Sequence, residues 1–484
     1  MDNFEDLGMD LMLLILSLSD IRTVLRVSQT NKFMHALVSE KSLWIHLIGN
    51  LVARGLLSMD PTHSCDLSKH SVAALRDIVK RAIRGPATWS TAGEGPKILR
   101  TLQLRLDRDI EDAHLLPGGR FVCGILREGS NTRIGVACWD LASTSPTPVW
   151  DWKLPSSSDG RVEAAFDVPD ASGQTTAVLL VEDDSRGEVY IEVHRVYFHA
   201  NAAPDEQLFC FVFPEHYGTP ANSYLTICGD LLACNLTYSG GGYDYYEFML
   251  ILINWKTGSA IAMGPNGVGP DPIALTACHV FFLSGHDGDD WNEYLLDLNV
   301  LSVDQIQWHS SLTTALADAS RLTGALKQRH RCQSLPVPGS SVAGVGPGSR
   351  LQLFEALTSP GSGPLRVQVT MFLDRIIKSA EYSVDRGRHP TLEYVESVVH
   401  RVPTNFSFMN GEYSRSRRVS RSRHVLVCED DQGKLGVLHS VGGTETPEVQ
   451  QLPRTDVSAR KASLSDEDAL LQVDGRNISV TYFV

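Results

Sequence analysis

The 484-residue sequence predicts a mostly β chain with a small α-helical domain at its N-terminus. Three observations predict it. Apolar residues recur at steps of three and four between Leu7 and Val38, the period of a helix. From Ile98 onward the period falls to two, or to short solid apolar runs. Turn residues such as Pro117-Gly118-Gly119, Asp159-Gly160, Gly240-Gly241-Gly242 and Gly442-Gly443 separate those runs.

The N-terminal stretch reads as three short helices. Leu7, Leu11, Leu14, Ile15 and Leu18 make the first pattern. Ile21, Val24, Leu25 and Ser28 make the second, and Phe33, Met34, Leu37 and Val38 the third. Breaks fall at Ser19-Asp20 and Thr30-Asn31, where Asp20 and Asn31 are the expected N-caps. The acidic leader (Asp2, Glu5, Asp6, Asp10) lacks the basic start of a signal peptide. The run from Leu11 to Leu18 is too short to span a bilayer. So small a bundle has little core of its own. Its excess leucine predicts a partner that covers it, the alternative being a cap folded back on the rest of the chain.

The order of these residues resembles an F-box. The matching elements are Leu7, then Asp10-Leu11, Ile15-Leu16-Ser17, Val24-Leu25-Arg26-Val27-Ser28 and a closing Ser42-Leu43-Trp44. Three positions depart from the pattern: Gly8 stands where proline is usual, Ser19 where leucine is, and Met34 where an aromatic is. The first loses a rigid helix start. The others trim buried area, at about 1 kcal/mol or more each. The resemblance implies that residues 1–50 bind the Skp-family adaptor and, through it, a cullin. It places Leu7, Leu11, Ile15, Leu16, Leu25, Val27, Leu43 and Trp44 at adaptor-contacting positions, as apolar anchors in a groove.

Residues 51–90 read as a linker built around one helix, "HSVAALRDIVKRAIRGPATW". Val72, Leu75, Val79, Ala82 and Ile83 share a face, and Gly85-Pro86 ends the helix. The passage also resembles the one that follows the F-box in many fungal proteins of this type. Residues 91–484 form the β body. Strand ends near Trp139, Trp255 and Asp297 look alike, which suggests repeats of the size a β-propeller blade gives. The body is long enough for six or seven blades, and the terminal "NISVTYFV" is expected to close the ring against the first blade. A stacked β-sandwich pair is the alternative. A flexible insertion is expected near residues 310–364, centred on the Pro/Gly/Ser-rich Leu335–Arg350, with Leu312–Arg331 a helix or part of it.

Charge and chemistry narrow the function. Net charge is −14, split as +1 over residues 1–86 and −15 over the rest. An acidic body disfavours nucleic acid as a partner. Nine cysteines without a C-x-x-C pair read as reduced, buried small hydrophobes, which fits cytoplasm or nucleus. No phosphate loop, dinucleotide fingerprint, zinc motif or nucleophile elbow occurs, so no catalytic residue, metal or cofactor is expected. His286, Asp287, Asp289 and Asp290 read as a solvated hairpin tip. Arg415, Arg417, Arg418, Arg421 and Arg423 form the one basic run, read as a solvated loop, a phosphorylation-controlled, anion- or target-binding patch, or a nucleic-acid or nuclear-import signal. Together these point to a non-catalytic substrate-recognition subunit of an SCF-type ubiquitin ligase, with a scaffold outside any ligase as the second reading and an enzyme built on the propeller as the third.

Overall fold

The computed structural model describes residues 8–19, 21–53, 67–84, 96–116, 119–128, 132–143, 147–154, 160–167, 174–183, 186–198, 205–214, 225–239, 246–266, 273–287, 294–319, 333–337, 350–355, 365–373, 376–385, 390–401, 424–427, 435–439, 449–452, 461–464 and 469–483. Helices come first: α1 (Met9–Ser17), α2 (Ile21–Val27), α3 (Lys32–Val38), α4 (Lys41–Ala53) and α5 (Val72–Arg84). Asn31 caps α3 as expected, its side chain accepting from the Met34 N–H at 2.7 Å. Asp20 lies outside the described residues.

The body is a β-propeller. Its strands are β1 (Ile98–Arg105), then β2 (Asp109–Leu115), β3 (Phe121–Glu128), β4 (Thr132–Asp140) and β5 (Trp150–Lys153). The second sheet holds β6 (Gly160–Phe166), β7 (Gln174–Asp183), β8 (Glu188–Tyr197) and β9 (Glu206–Val212). The third holds β10 (Leu225–Cys228), β11 (Leu231–Ser239), β12 (Tyr246–Asn254) and β13 (Ser259–Asn266). The fourth holds β14 (Ile273–Leu275), β15 (His279–Asp287), β16 (Tyr294–Ser302) and β17 (Gln333–Pro336), with α6 (Leu312–Ala319) in its last connection. The fifth holds β18 (Arg350–Glu355), β19 (Leu365–Leu373), β20 (Ile376–Val384) and β21 (Leu392–Arg401). The sixth shows β22 (His424–Val427), β23 (Gly436–His439) and β24 (Val449–Gln451). The seventh joins β25 (Lys461–Leu464), β26 (Leu470–Asp474) and β27 (Asn477–Phe483) to β1. Among the described residues there are thus seven sheets, the upper of the two expected blade numbers.

The first six sheets are antiparallel meanders, and the ring closes in the seventh where the two ends of the body pair, from Ile98↔Phe483 to Arg105↔Asn477. The terminal strand therefore adds to the first strand of the body and not to the first complete sheet. Three side-chain contacts reinforce this seam. Tyr482 donates to the Gly119 carbonyl at 2.9 Å, Thr101 and Thr481 share a hydrogen bond at 3.2 Å, and the Arg100 guanidinium sits 4.6 Å from the Tyr482 ring centroid. Gly119 has φ 64°, a left-handed turn that favours glycine.

The core lies between sheets. Along β7, Ala177, Leu179 and Val181 pack toward β3–β5, while Val178 and Leu180 pack toward β10–β13. A middle strand covered on both faces has no polar side, so it reads as a solid apolar run. Two expectations need correction. The stretch 310–364 is not one flexible insertion, because it contains α6, β17 and β18, and Leu312, Ala315 and Leu316 are buried against the third sheet. Residues 320–332, 338–349 and 356–364 lie outside the described set. Nor are all the cysteines reduced: Cys123 and Cys138 form a disulfide. They are directly paired across β3 and β4, with Cα atoms 4.1 Å apart, the close spacing of a non-hydrogen-bonded antiparallel pair. Hairpin register brings them together, and no local cysteine spacing in the sequence signals it.

Candidate docking site

Trp44 organises the helical domain. Its ring is buried together with Leu43, Leu47, Ile48, Val38 and Leu75, and its Nε1–H donates to the Val38 carbonyl at 2.7 Å. Arg76 of α5 lies over the ring, its guanidinium carbon 5.2 Å from the centroid. Its Nη2 donates to the same Val38 carbonyl at 3.1 Å and to Ser39 Oγ at 3.3 Å. The linker helix is thereby part of the helical core, because Leu75 and Val79 complete the cluster that α1 to α4 begin.

That cluster covers only one side of α1. Met12 and Leu16 face inward, at 1% and 5% exposure, while Leu11, Leu14, Ile15 and Leu18 stand 46–69% exposed. Those four fall at three- and four-residue steps, so they form a continuous stripe along the helix. Met9, Leu25 and Phe33 are also exposed. Soluble helices normally place polar residues on the outer face, and α1 carries Asp10 as its only charge.

The sequence-read residues divide accordingly. Leu11, Ile15 and Leu25 are exposed and available to a partner, and Val27 is half-buried against the core. Leu16, Leu43 and Trp44 are core residues, so in this fold they hold the bundle together and do not present a surface. Leu7 and the arginines at 415, 417, 418, 421 and 423 lie outside the described residues. Leu14, Leu18, Met9 and Phe33 are exposed on the same domain and were not among the sequence-read residues. Leu14 and Leu18 share the stripe spacing, which was the available signal.

Chemistry outside this face is sparse. Among the described residues no three histidine, cysteine, aspartate or glutamate side chains converge as metal ligands, and no helix is long and apolar enough to cross a membrane. Burial pushes the Cys228 thiol up to about 11 and the Cys234 thiol up to about 12. Cys210 is also raised, by burial and by the Glu192 carboxylate.

No family model matches the chain, and no curated protein matches it. Solved structures do align with it. The WD40 domain of SCAP from fission yeast is 10% identical, with 78% of this chain and 82% of that one covered at a TM-score of 0.41. A streptogramin B lyase is 8% identical, with coverage of 80% and 98% and a TM-score of 0.33. The β-propeller domain of the Trilobed protease from Pyrococcus furiosus is 10% identical, with coverage of 63% and 75% and a TM-score of 0.27.

Proposed function

We propose that this chain is the substrate-recognition subunit of an SCF-type ubiquitin ligase. The helical domain docks the Skp-family adaptor, the adaptor brings a cullin, and the propeller holds the protein to be ubiquitinated. The observation that carries this reading is the uncovered stripe Leu11, Leu14, Ile15 and Leu18 on a helix whose other side is already buried. Covering four half-exposed aliphatic side chains contributes roughly 1 kcal/mol each, an apolar anchor to which the rest of a docking interface adds. The F-box-like order of residues supports the adaptor as that partner. The chain's own contribution to the reaction is proximity: it raises the effective concentration of a target lysine near a ubiquitin-charged enzyme.

The test uses exposed positions. The paired substitution Leu11→Asp, Ile15→Asp is expected to abolish co-purification with a recombinant Skp-family adaptor while the melting temperature stays unchanged. Trp44→Ala is unsuitable for this purpose, because loss of a buried ring disrupts the bundle whether or not the partner touches it. Retained adaptor capture by the double variant overturns the proposal.

A further inference from the structure

We propose that the outer edge of β9 receives an extended, basic and apolar segment of a partner protein as a fifth strand of the second sheet. This rests on the reading that the body holds a protein target, and it names the chemistry of that target segment. The sheet order ends at β9, and among the described residues no main-chain group pairs with its outer side. The Phe213 N–H donates inward to the Val189 carbonyl at 2.8 Å. Alternation along an antiparallel strand then turns the main-chain groups of Val212 and Cys210 outward. Both residues are exposed, Val212 at 49%. Natural edges are usually blunted by lysine, proline or a short strand. Here the run "LFCFVF" from Leu208 to Phe213 carries none of the three.

The fold itself uses this mode one sheet further on. His309 and Ala260 exchange two main-chain hydrogen bonds, of 3.0 and 3.1 Å, so a connection of the fourth sheet pairs with the outer edge of β13. Charge beside β9 selects the occupant. Asp205 precedes the strand, Glu206 opens it, and Glu192 stands across from Cys210. Among the described residues the one cation on these three carboxylates is Arg195, on Glu206 at 2.7 Å; the His194 ring lies between Glu192 and Asp205 at 2.9 and 3.3 Å, and the neutral Gln207 amide and Trp150 indole donate to Glu192 at 3.0 Å and to Asp205 at 3.4 Å, so the patch keeps its negative charge. Strand addition supplies affinity through main-chain bonds and specificity through alternate side chains. An incoming segment that alternates apolar and lysine or arginine residues satisfies both.

The probe is a six-residue peptide of alternating lysine and valine, with a glutamate and valine peptide as its control. Hydrogen exchange on the full chain is expected to show fast exchange at Cys210 and Val212, slowed when the lysine peptide is present and unchanged by the glutamate peptide. Val212→Pro removes only an outward N–H, which an edge strand tolerates. It is expected to weaken binding about tenfold, as loss of a main-chain hydrogen bond does. If the proline variant folds poorly, Val212→Lys, which keeps the N–H but sets a like charge against the incoming lysine peptide, is expected to weaken binding instead. Absence of protection, equal binding of both peptides, or self-association of the chain through β9 overturns the proposal. Adaptor capture, measured on the same samples, reports the helical docking face separately, so failure at β9 is distinguishable from failure of the ligase reading.

Discussion

At the scale of single residues, Trp44 shows how a position expected to face a partner can sit in the core of its own domain. Its place in the "S-L-W" ending marked it as a contact, yet the ring is 1% exposed and sealed by Val38 and Arg76. Trp44→Ala is therefore expected to cost about 3–5 kcal/mol of helical-domain stability, measured by urea denaturation followed through far-ultraviolet dichroism. Asn31→Ala, which removes the cap of α3, is expected to cost about 1 kcal/mol in the same experiment. Cys234 carries a pH consequence. The unfolded chain loses this thiol proton near the ordinary value of 9.0, whereas the folded chain keeps it to about 12. Between those values the folded state holds more protons than the unfolded one, so this group makes stability fall as pH rises through that window. Alkylation of the native chain at about pH 8 is expected to leave Cys234 unmodified, because the thiolate is the reacting form, and mass mapping of the labelled peptides checks it.

At the scale of elements, legibility followed burial. The solid apolar runs of the sequence fall mostly in middle strands, such as β3, β4, β7, β8, β11, β12, β15 and β16. Each lies between two others in its sheet, and their solid apolar runs reflect packing against neighbouring sheets on both faces. Inner and outer strands were less visible. β14 has three residues and β10 and β5 four each, and β1 alternates without a continuous run. A strand that short gives too few positions to establish a period. The first helix, α1, was legible as a helix, but its two-sidedness was not. The spacing of Leu11, Leu14, Ile15 and Leu18 says that they share a face, and only packing says that Met12 and Leu16 take the core instead. Substituting the outer stripe is accordingly expected to shift stability by less than about 0.5 kcal/mol, the range of ordinary surface changes. A thermal melt of Leu14→Glu checks this.

At the scale of the whole molecule, the seam between β1 and β27 carries the ring. Every other sheet is sequential in the chain, whereas this one joins residues 98–105 to 477–483 and has the longest loop to close. A chain ending before Asn477 loses that seam and exposes Leu104, Leu471 and Val473, which the closing strand helps to bury. Such a truncation is expected to lose cooperative unfolding and to become sensitive to limited proteolysis across the body, while the helical domain keeps its own core. In the proposed reading the two parts have separate tasks, docking by the helices and target holding by the propeller, and the apolar outer face of α1 joins them into one function. The most direct measurement is capture of purified Skp-family adaptor by the full chain and by its Leu11→Asp, Ile15→Asp variant at matched folded concentration. Stoichiometric capture by the first and none by the second is the expected result. A full chain that stays monomeric and takes up no adaptor, or a double variant that binds as well as the parent, contradicts the account.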